Sequence, residues 1–209
     1  MPRLPDILTP RPKILFVGIN PGARSGQLGH HFAGPGNPFW RLLHASGLTP
    51  EVIPALEDHR LADYGYALTN LAARPTRSAA ELRRAELARG RRDLLVKIEE
   101  LEPAVVALVG ITLYPLVVTD GETPGPGPKP ERLGDARLFV VPNPSGLNAS
   151  FPGFESKLVW FRALARFAAR LPPSADGPSP RPTRARGSSG SPGPRASGAS
   201  LRRSTRPGS

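Results

Sequence analysis

Four short apolar runs constrain what this chain can fold into more than any other feature of its sequence. Their residues are hydrophobic at consecutive rather than alternate positions, as expected for strands covered on both faces of a parallel sheet. The runs occupy residues 14–18, 66–71, 104–109 and 138–141. Helical patterns separate them, so the sequence predicts an α/β fold around a short, mostly parallel, four-stranded sheet.

Three segments between and after these runs carry helical patterns. Residues 39–45 form a short one, and residues 79–101 form a long charged one in which Gly90 is expected to break or bend the helix. Residues 155–171 form an amphipathic one. By contrast, residues 119–133 are rich in Pro and Gly and are expected to be an exposed connecting loop.

The domain organisation follows from where the chain can build a core. From residue 172 onward, 23 of 38 residues are Pro, Gly or Ser, and Leu201 is the single large apolar side chain. Such a segment cannot bury enough apolar surface to offset the entropy of ordering it, so residues 172–209 are expected to be a disordered tail. Residues 1–12 are interpreted as a Pro-rich, loose lead-in, which leaves one folded domain at 13–171.

Composition excludes several classes of function. The chain has no cysteine, which excludes disulfides, thiolate nucleophiles and cysteine-bound zinc or iron–sulfur clusters. No apolar stretch reaches the length of a membrane-spanning helix and no signal peptide is evident, so a cytoplasmic protein is expected. The formal net charge of +11 favours a polyanionic partner, above all nucleic acid, although a solvated surface is the alternative.

Two of the four predicted strands lead into unusual Asn-Pro loops. Residues 18–22 read GINPG, and residues 142–148 read PNPSGLN. Ligands of open α/β sheets bind at the carboxyl ends of the strands, so these two loops are expected to border a site. Neither matches the phosphate-binding pattern G-x-x-x-x-G-K-[ST], which argues against a nucleoside triphosphatase.

A third segment, residues 29–40 (GHHFAGPGNPFW), is too apolar for an ordinary exposed loop. Phe32 is flanked by small residues and would offer a flat aromatic face for stacking on a base. Phe39 and Trp40 begin a helix and are expected in the core. His30 and His31 have no metal-ligand spacing with His44 or His59, so no metal site is predicted.

These segments together resemble the mismatch-specific uracil-DNA glycosylases, a family that includes the thymine-DNA glycosylases. The resemblance rests on GINPG, GHHFAGPGNPFW, TNLAARPT at residues 69–76 and NPSGLN at residues 143–148. It implies a three-layer α/β/α domain that works as a monomer without a cofactor. The implied partner is double-stranded DNA with a mismatched or damaged base, and the implied reaction hydrolyses the N-glycosidic bond after the base is flipped out.

The resemblance also assigns roles to residues. Asn20 would hold the attacking water, Leu147 would fill the space of the flipped base, and Ala149 stands where some members have an arginine. The base pocket would consist of Gly18, Ile19, Ser25, His31, Phe32 and Asn70. The loop that contacts and enters the duplex would consist of Asn143, Pro144, Ser145, Gly146, Leu147 and Asn148.

Two chemical questions remain open at the level of sequence. Because Asn20 is a weak base, a carboxylate such as Asp93 or Asp63 is a candidate for assisting it, with a solvated surface carboxylate as the alternative. No lysine nucleophile is evident, which predicts a monofunctional enzyme that leaves an uncut abasic site. The competing interpretations are a non-catalytic DNA-binding module on the same fold and a hydrolase of free nucleosides.

Overall fold

The computed structural model describes residues 3–118, 125–145 and 149–171. A five-stranded sheet at its centre has the order β2-β1-β3-β5-β4. The strands are β1 (Ile14–Gly18), β2 (Tyr66–Asn70), β3 (Val105–Val109), β4 (Gly127–Leu133) and β5 (Ala136–Val141). The first three and β5 pair in parallel, and only β4 is antiparallel. The predicted mixed α/β fold with a mostly parallel sheet is therefore confirmed.

Strand β4 corrects the prediction for residues 119–133. The part of that segment from Gly127 to Leu133 pairs with β5, and its side chains alternate between buried and exposed. Two prolines, Pro128 and Pro130, lie within the strand. Proline is tolerated on an edge strand because its missing N–H would otherwise point away from the sheet. The turn-rich composition thus concealed an edge strand.

Helices cover both faces of the sheet. They are α1 (Ala23–Leu28), α2 (Phe39–Ala45), α3 (Arg84–Leu101), α4 (Tyr114–Val117) and α5 (Glu155–Ala169), with 3₁₀ segments at Ala55–Tyr64, Ala79–Glu81 and Ile111–Leu113. On one face, Phe39 of α2 and Phe161 of α5 pack with Phe16 of β1. On the other face, Leu94 and Ile98 of α3 pack with Leu15 of the same strand. Two apolar layers on one sheet give the three-layer arrangement.

Gly90 does not break α3, contrary to the prediction. The helix runs without interruption from Arg84 to Leu101, and Gly90 is buried against the chain that follows β2. A Cβ added at Gly90 would lie well inside contact distance of the Leu71 carbonyl oxygen, at 1.8 Å. Glycine is therefore required for a close approach of two backbones rather than for a bend.

The expectation that residues 1–12 are a loose lead-in is wrong for residues 4–12. Leu4 and Ile7 are buried. Ile7 and Leu68 exchange two backbone hydrogen bonds of 2.9 and 2.7 Å, so the segment adds an antiparallel bridge to β2. The prolines on either side of Ile7 suggested an irregular segment, although the chain there pairs with the edge of the sheet.

Among the described helices, none combines the length and the apolar character needed to cross a membrane. The predicted tail at 172–209, the loop residues 119–124 and the residues Gly146, Leu147 and Asn148 lie outside the described part of the chain.

Candidate active site

A cavity of about 380 Å³ lies where the parallel strands end. Gly18, Asn70 and Val109, the last residues of β1, β2 and β3, all line it. The structure brings together the sequence-predicted residues Gly18, Ile19, Asn20, Ser25, His31, Phe32, Asn70, Asn143 and Ser145 around this one cavity. The parallel arrangement explains the convergence, because it brings the carboxyl ends of all these strands to one edge.

Asn20 has a fixed orientation in the loop after β1. Its amide nitrogen donates to the hydroxyl oxygen of Thr76 at 2.6 Å and to the carbonyl oxygens of Pro21 and Arg74 at 3.0 and 3.3 Å. The Thr76 hydroxyl in turn donates to the Ser78 carbonyl at 2.8 Å, so its oxygen is the acceptor toward Asn20. The amide nitrogen therefore faces protein acceptors, and Oδ1 is the end of the amide that can serve a ligand.

Two loops are joined at this point. Gly22 and Thr76 form a parallel bridge, and the Thr76 N–H donates to the Pro21 carbonyl at 3.1 Å. Thr76 is buried, with 5% of its surface exposed. Sequence reasoning placed Thr76 in a motif but gave it no role; the structure identifies it as the residue that positions Asn20.

Gly18 permits the closest approach in the cavity wall. A Cβ at this position would lie 2.5 Å from Oδ1 of Asn70 and 3.8 Å from the ring of Phe32. No side chain fits there without moving Asn70. The glycine thus leaves the edge of Asn70 and the ring of Phe32 open on the same side of the cavity.

Phe32 forms an aromatic wall on a strained backbone. Its φ of 50° lies in the left-handed region, which is unusual for a bulky residue. One face of the ring stacks on Phe39, with centroids 3.9 Å apart and planes 21° from parallel. Phe39 and Trp40 are buried in the core, as predicted. Strained backbone conformations cluster at functional sites, so this one favours a functional role for the Phe32 ring.

Three side chains, which make four contacts, hold the segment that carries Phe32. The buried carboxylate of Asp58 accepts the His31 N–H at 2.7 Å and contacts Nδ1 of His30 at 3.0 Å. The Ser25 hydroxyl oxygen accepts the Ala33 N–H at 3.1 Å. The indole N–H of Trp40 donates to the His31 carbonyl at 3.2 Å. These bonds on both sides of Phe32 offset the cost of its backbone conformation.

His31 is a buried neutral side chain between the N-terminal segment and Asn70. Burial lowers the pKa of its imidazole below the usual value, although a hydrogen bond with the Pro5 carbonyl acts in the opposite direction. Nε2 contacts the Pro5 carbonyl at 2.8 Å, and Nδ1 contacts Nδ2 of Asn70 at 3.3 Å. The side chain links two elements. Among the described residues, no group of three or more His, Cys, Asp or Glu is placed to bind a metal ion.

No acidic side chain is among the described residues that line this cavity. Asp93 lies on α3, is mostly exposed and sits 3.9 Å from Arg89, and it lines a second cavity of about 690 Å³. Asp63 is exposed on the 3₁₀ segment Ala55–Tyr64. The structure therefore brings neither carboxylate into the cavity that contains Asn20.

The lysines are likewise outside the cavity, so far as the described residues define its lining. Lys97 pairs with Asp6 at 2.5 Å and donates to the Thr69 hydroxyl oxygen. Lys157 is buried and donates to the carbonyls of Phe151 and Gly153. Lys129 donates to the Gly125 carbonyl. These three amines have structural partners.

The loop after β5 also contributes to the cavity wall. Oδ1 of Asn143 accepts the Ser145 N–H at 2.9 Å, which closes a tight Asx turn. Asn143 and Ser145 line the cavity, and Pro144 lies between them. The next three residues, which include the predicted wedge Leu147, are outside the described part of the chain.

Arginines stand at the cavity mouth. Arg24 of α1 and Arg77, which follows Thr76, both line the cavity and are exposed. Sequence reasoning counted them only in the net charge, because nothing in their local sequence separates them from the other arginines.

One comparison with known proteins identifies the family. A sequence model of the uracil DNA glycosylase superfamily matches residues 5–165, which is most of the chain and includes every described lining residue of this cavity except Leu4.

Proposed function

The chain belongs to the uracil DNA glycosylase superfamily, and we propose that it removes uracil, and also thymine or modified cytosine, from G·U and G·T mismatches in duplex DNA. Membership of the superfamily makes it a DNA glycosylase, a hydrolase of base excision repair that acts on DNA. The observation that carries the more specific proposal is the fixed amide of Asn20 beside an aromatic wall and a second amide.

In the proposed reaction, Asn20 positions the attacking water. Its amide nitrogen is committed to Thr76 and two carbonyls, so Oδ1 accepts a hydrogen bond from water and holds it toward C1′ of the flipped nucleotide. The sugar passes through an oxocarbenium-like state, as in other glycoside cleavages. With no carboxylate in the described lining, catalysis rests on positioning and on stabilising the departing base.

The base itself would occupy the cavity between Phe32 and Asn70. Phe32 offers the face that is not stacked on Phe39, and Asn70 offers a hydrogen-bonding edge over Gly18. Extruding a base costs a few kcal/mol, and the cost is least for a mispaired base. Because the base must leave the duplex before it can enter the cavity, we expect faster excision from a wobble pair than from a Watson–Crick pair.

The loop after β5 would complete the interface with the duplex. Its Asx turn at Asn143 is followed in the sequence by Gly146, Leu147 and Asn148. By resemblance to the mismatch-specific enzymes, Leu147 enters the vacated space in the duplex as an apolar wedge. We further propose that the enzyme acts as a monomer, without a cofactor, and leaves an uncut abasic strand, since no lysine is among the described residues of the cavity wall.

Mismatch preference is tested with duplexes that differ at one pair. Single-turnover excision is measured on otherwise identical duplexes with G·U, A·U, G·T or G·C, and strand breakage is scored after alkali. We expect the G·U rate to exceed the A·U rate by about tenfold or more, in proportion to the cheaper extrusion of the wobble base. Equal rates on G·U and A·U would contradict mismatch specificity while keeping the glycosylase.

Arg24 and Arg77 are expected to bind phosphates that flank the flipped nucleotide. Each charge that neutralises a phosphate contributes about 0.9 to the slope of log affinity against log salt. Replacing either arginine with glutamine should weaken duplex binding and reduce that slope by about one, with the double variant reduced by about two. The exposed Arg92 of α3 lines neither described cavity and provides the matched control.

In the Arg92→Gln control the charge change is the same, but the slope should not change. An equal reduction in all three variants would mean that the arginines act only through net charge, and the assignment to phosphate contacts would be wrong.

A further inference from the structure

We infer that the backbone carbonyl of Pro5 determines whether the cavity accepts uracil or cytosine, by fixing the tautomer of His31 and through it the orientation of the Asn70 amide. This inference rests on the proposed function, because it concerns the base that the cavity holds. It assigns a specificity role to an N-terminal segment that the sequence interpretation treated as a loose lead-in.

The first step is the hydrogen bond between Pro5 and His31. A carbonyl oxygen can only accept, so the Nε2 atom that lies 2.8 Å from it must carry a proton. In a neutral imidazole only one ring nitrogen is protonated. Nδ1 of His31 is therefore left with its lone pair.

The second step is the neutrality of that ring. His31 is 3% exposed, and burial lowers its pKa. The charged or titratable groups around it are Asp58, Asp6 and His30, and the two carboxylates act against the effect of burial without reversing it. At neutral pH the ring thus carries one proton, on Nε2.

In the third step, the tautomer of His31 determines the orientation of the Asn70 amide. An unprotonated Nδ1 needs a donor, and the atom 3.3 Å away is Nδ2 of Asn70. Oδ1 of Asn70 is thereby turned toward Gly18, where only the absence of a Cβ leaves room for it. Asn70 therefore presents a hydrogen-bond acceptor, Oδ1, beside Gly18, because its amide nitrogen donates to Nδ1 of His31.

An acceptor at this position distinguishes the two bases. Uracil has an N–H at N3, which can donate to Oδ1, whereas cytosine has a lone pair at N3, which would face Oδ1 unpaired. A site that hydrogen-bonds a donor rejects an analogue without it because a buried polar group is left unsatisfied. Reversing the Asn70 amide would reverse this preference.

The Pro5 carbonyl is well placed for this role because its segment is held on both sides. Leu4 is buried and lines the cavity. Asp6 accepts the Thr69 hydroxyl at 2.7 Å and pairs with Lys97. The backbone N–H groups of Ile7 and Leu68 each donate a hydrogen bond to the carbonyl of the other residue. A carbonyl held between these anchors cannot turn away to allow the other tautomer.

The tautomer is tested directly by long-range proton–nitrogen NMR of the full-length, ¹⁵N-labelled protein at pH 7. We expect His31 to show a protonated Nε2 and an unprotonated Nδ1. In Asn70→Asp, the side chain of residue 70 ends in two carboxylate oxygens, which accept hydrogen bonds and would favour a proton on Nδ1. The Pro5 carbonyl still requires a proton on Nε2, so His31 should become doubly protonated. The opposite tautomer in the wild type, or an unchanged ring in Asn70→Asp, would overturn the inference.

The effect on specificity is tested with two substitutions at His31. His31→Phe keeps a ring but removes both polar atoms, which frees the Asn70 amide. His31→Gln supplies an N–H toward Pro5 and an oxygen toward Asn70. The measured quantity is the ratio of single-turnover rates on uracil in G·U and on cytosine in A·C, two mismatches in which neither base is held by a Watson–Crick pair.

We expect the ratio to fall at least tenfold in His31→Phe and to recover in His31→Gln. An unchanged ratio in a folded His31→Phe would overturn the inference, and if that variant does not fold, the NMR result for Asn70→Asp decides the matter. Because the NMR measurement needs no catalysis, loss of the proposed function and loss of this inference are separable: absent excision with the expected tautomer contradicts only the former.

Discussion

Replacing Asn20 with alanine is expected to lower the single-turnover rate of uracil excision from a G·U duplex by about 100-fold or more. The cavity has no acidic side chain among its described lining residues that could take over, so the attacking water would lose the acceptor that we propose positions it. Loss of a single positioned polar group at a reacting centre typically costs a factor of 10² to 10³. Duplex affinity, measured in the same buffer, should change by less than threefold.

Thr76→Val separates positioning from chemistry. Valine keeps the shape of threonine but removes the acceptor that lies 2.6 Å from the Asn20 amide nitrogen. The two backbone carbonyls still hold the amide, so we expect a smaller loss, of about tenfold, with unchanged affinity. If Asn20→Ala keeps wild-type activity, the catalytic role passes to another group, and Asp93→Asn becomes the variant to measure, although that carboxylate lines a different cavity.

Gly90→Ala is expected to destabilise the folded domain by about 2 kcal/mol or more. In an exposed helix this change would stabilise by up to about 1 kcal/mol. Here the added Cβ would stand 1.8 Å from the Leu71 carbonyl oxygen and 2.8 Å from its carbon, and backbone atoms cannot rotate away as a side chain can. Overpacking a rigid site costs about 1–3 kcal/mol and at times more. Urea denaturation of the full-length protein measures the difference.

Gly125→Ala is the matched control for Gly90→Ala. Gly125 is exposed, and nothing lies within 4 Å of a Cβ added there. The free energy of unfolding should therefore change by less than about 0.5 kcal/mol. Equal free energies of unfolding for the two variants would mean that α3 can move away from Leu71 at little cost. That result would contradict the close backbone contact proposed as the reason for Gly90.

The fold was largely predictable because its central strands are buried on both faces. Such strands have few polar residues, so β1, β2, β3 and β5 appear in the sequence as apolar runs whose bounds agree with the structure to within two residues. Strand β4 could not be found in the same way. It lies at the sheet edge, alternates between buried and exposed positions, and contains two prolines.

Glycine was the residue most easily misinterpreted. Gly90 lies in the middle of a helical pattern, where local propensity predicts a bend. Glycine is required at this position because the Leu71 carbonyl, which belongs to a different part of the chain, lies against it. The sequence around position 90 gives no sign of that contact. The N-terminal prolines were misinterpreted for the same reason, since the bridge from Ile7 to Leu68 joins positions far apart in the chain.

The site was predictable in its members but not in its connections. Parallel strands bring their carboxyl ends together, so the loops at Gly18 and Asn143 had to meet. What the sequence could not provide is how the side chains are oriented. That Thr76 turns the amide of Asn20, and that Pro5 acts on Asn70 through His31, depends on contacts of 2.6 to 3.3 Å between separate elements.

We expect this cavity to hydrolyse the bond between uracil and the DNA sugar. The decisive experiment incubates a G·U duplex with an excess of the full-length protein and quantifies free uracil by mass spectrometry, with a parallel borohydride trap. The expected result is one uracil released per duplex, an abasic strand that is cut only by later alkali, and no trapped protein–DNA adduct. A duplex that is bound but keeps its uracil would show that the cavity does not excise uracil, and a trapped adduct would rule out the hydrolytic mechanism.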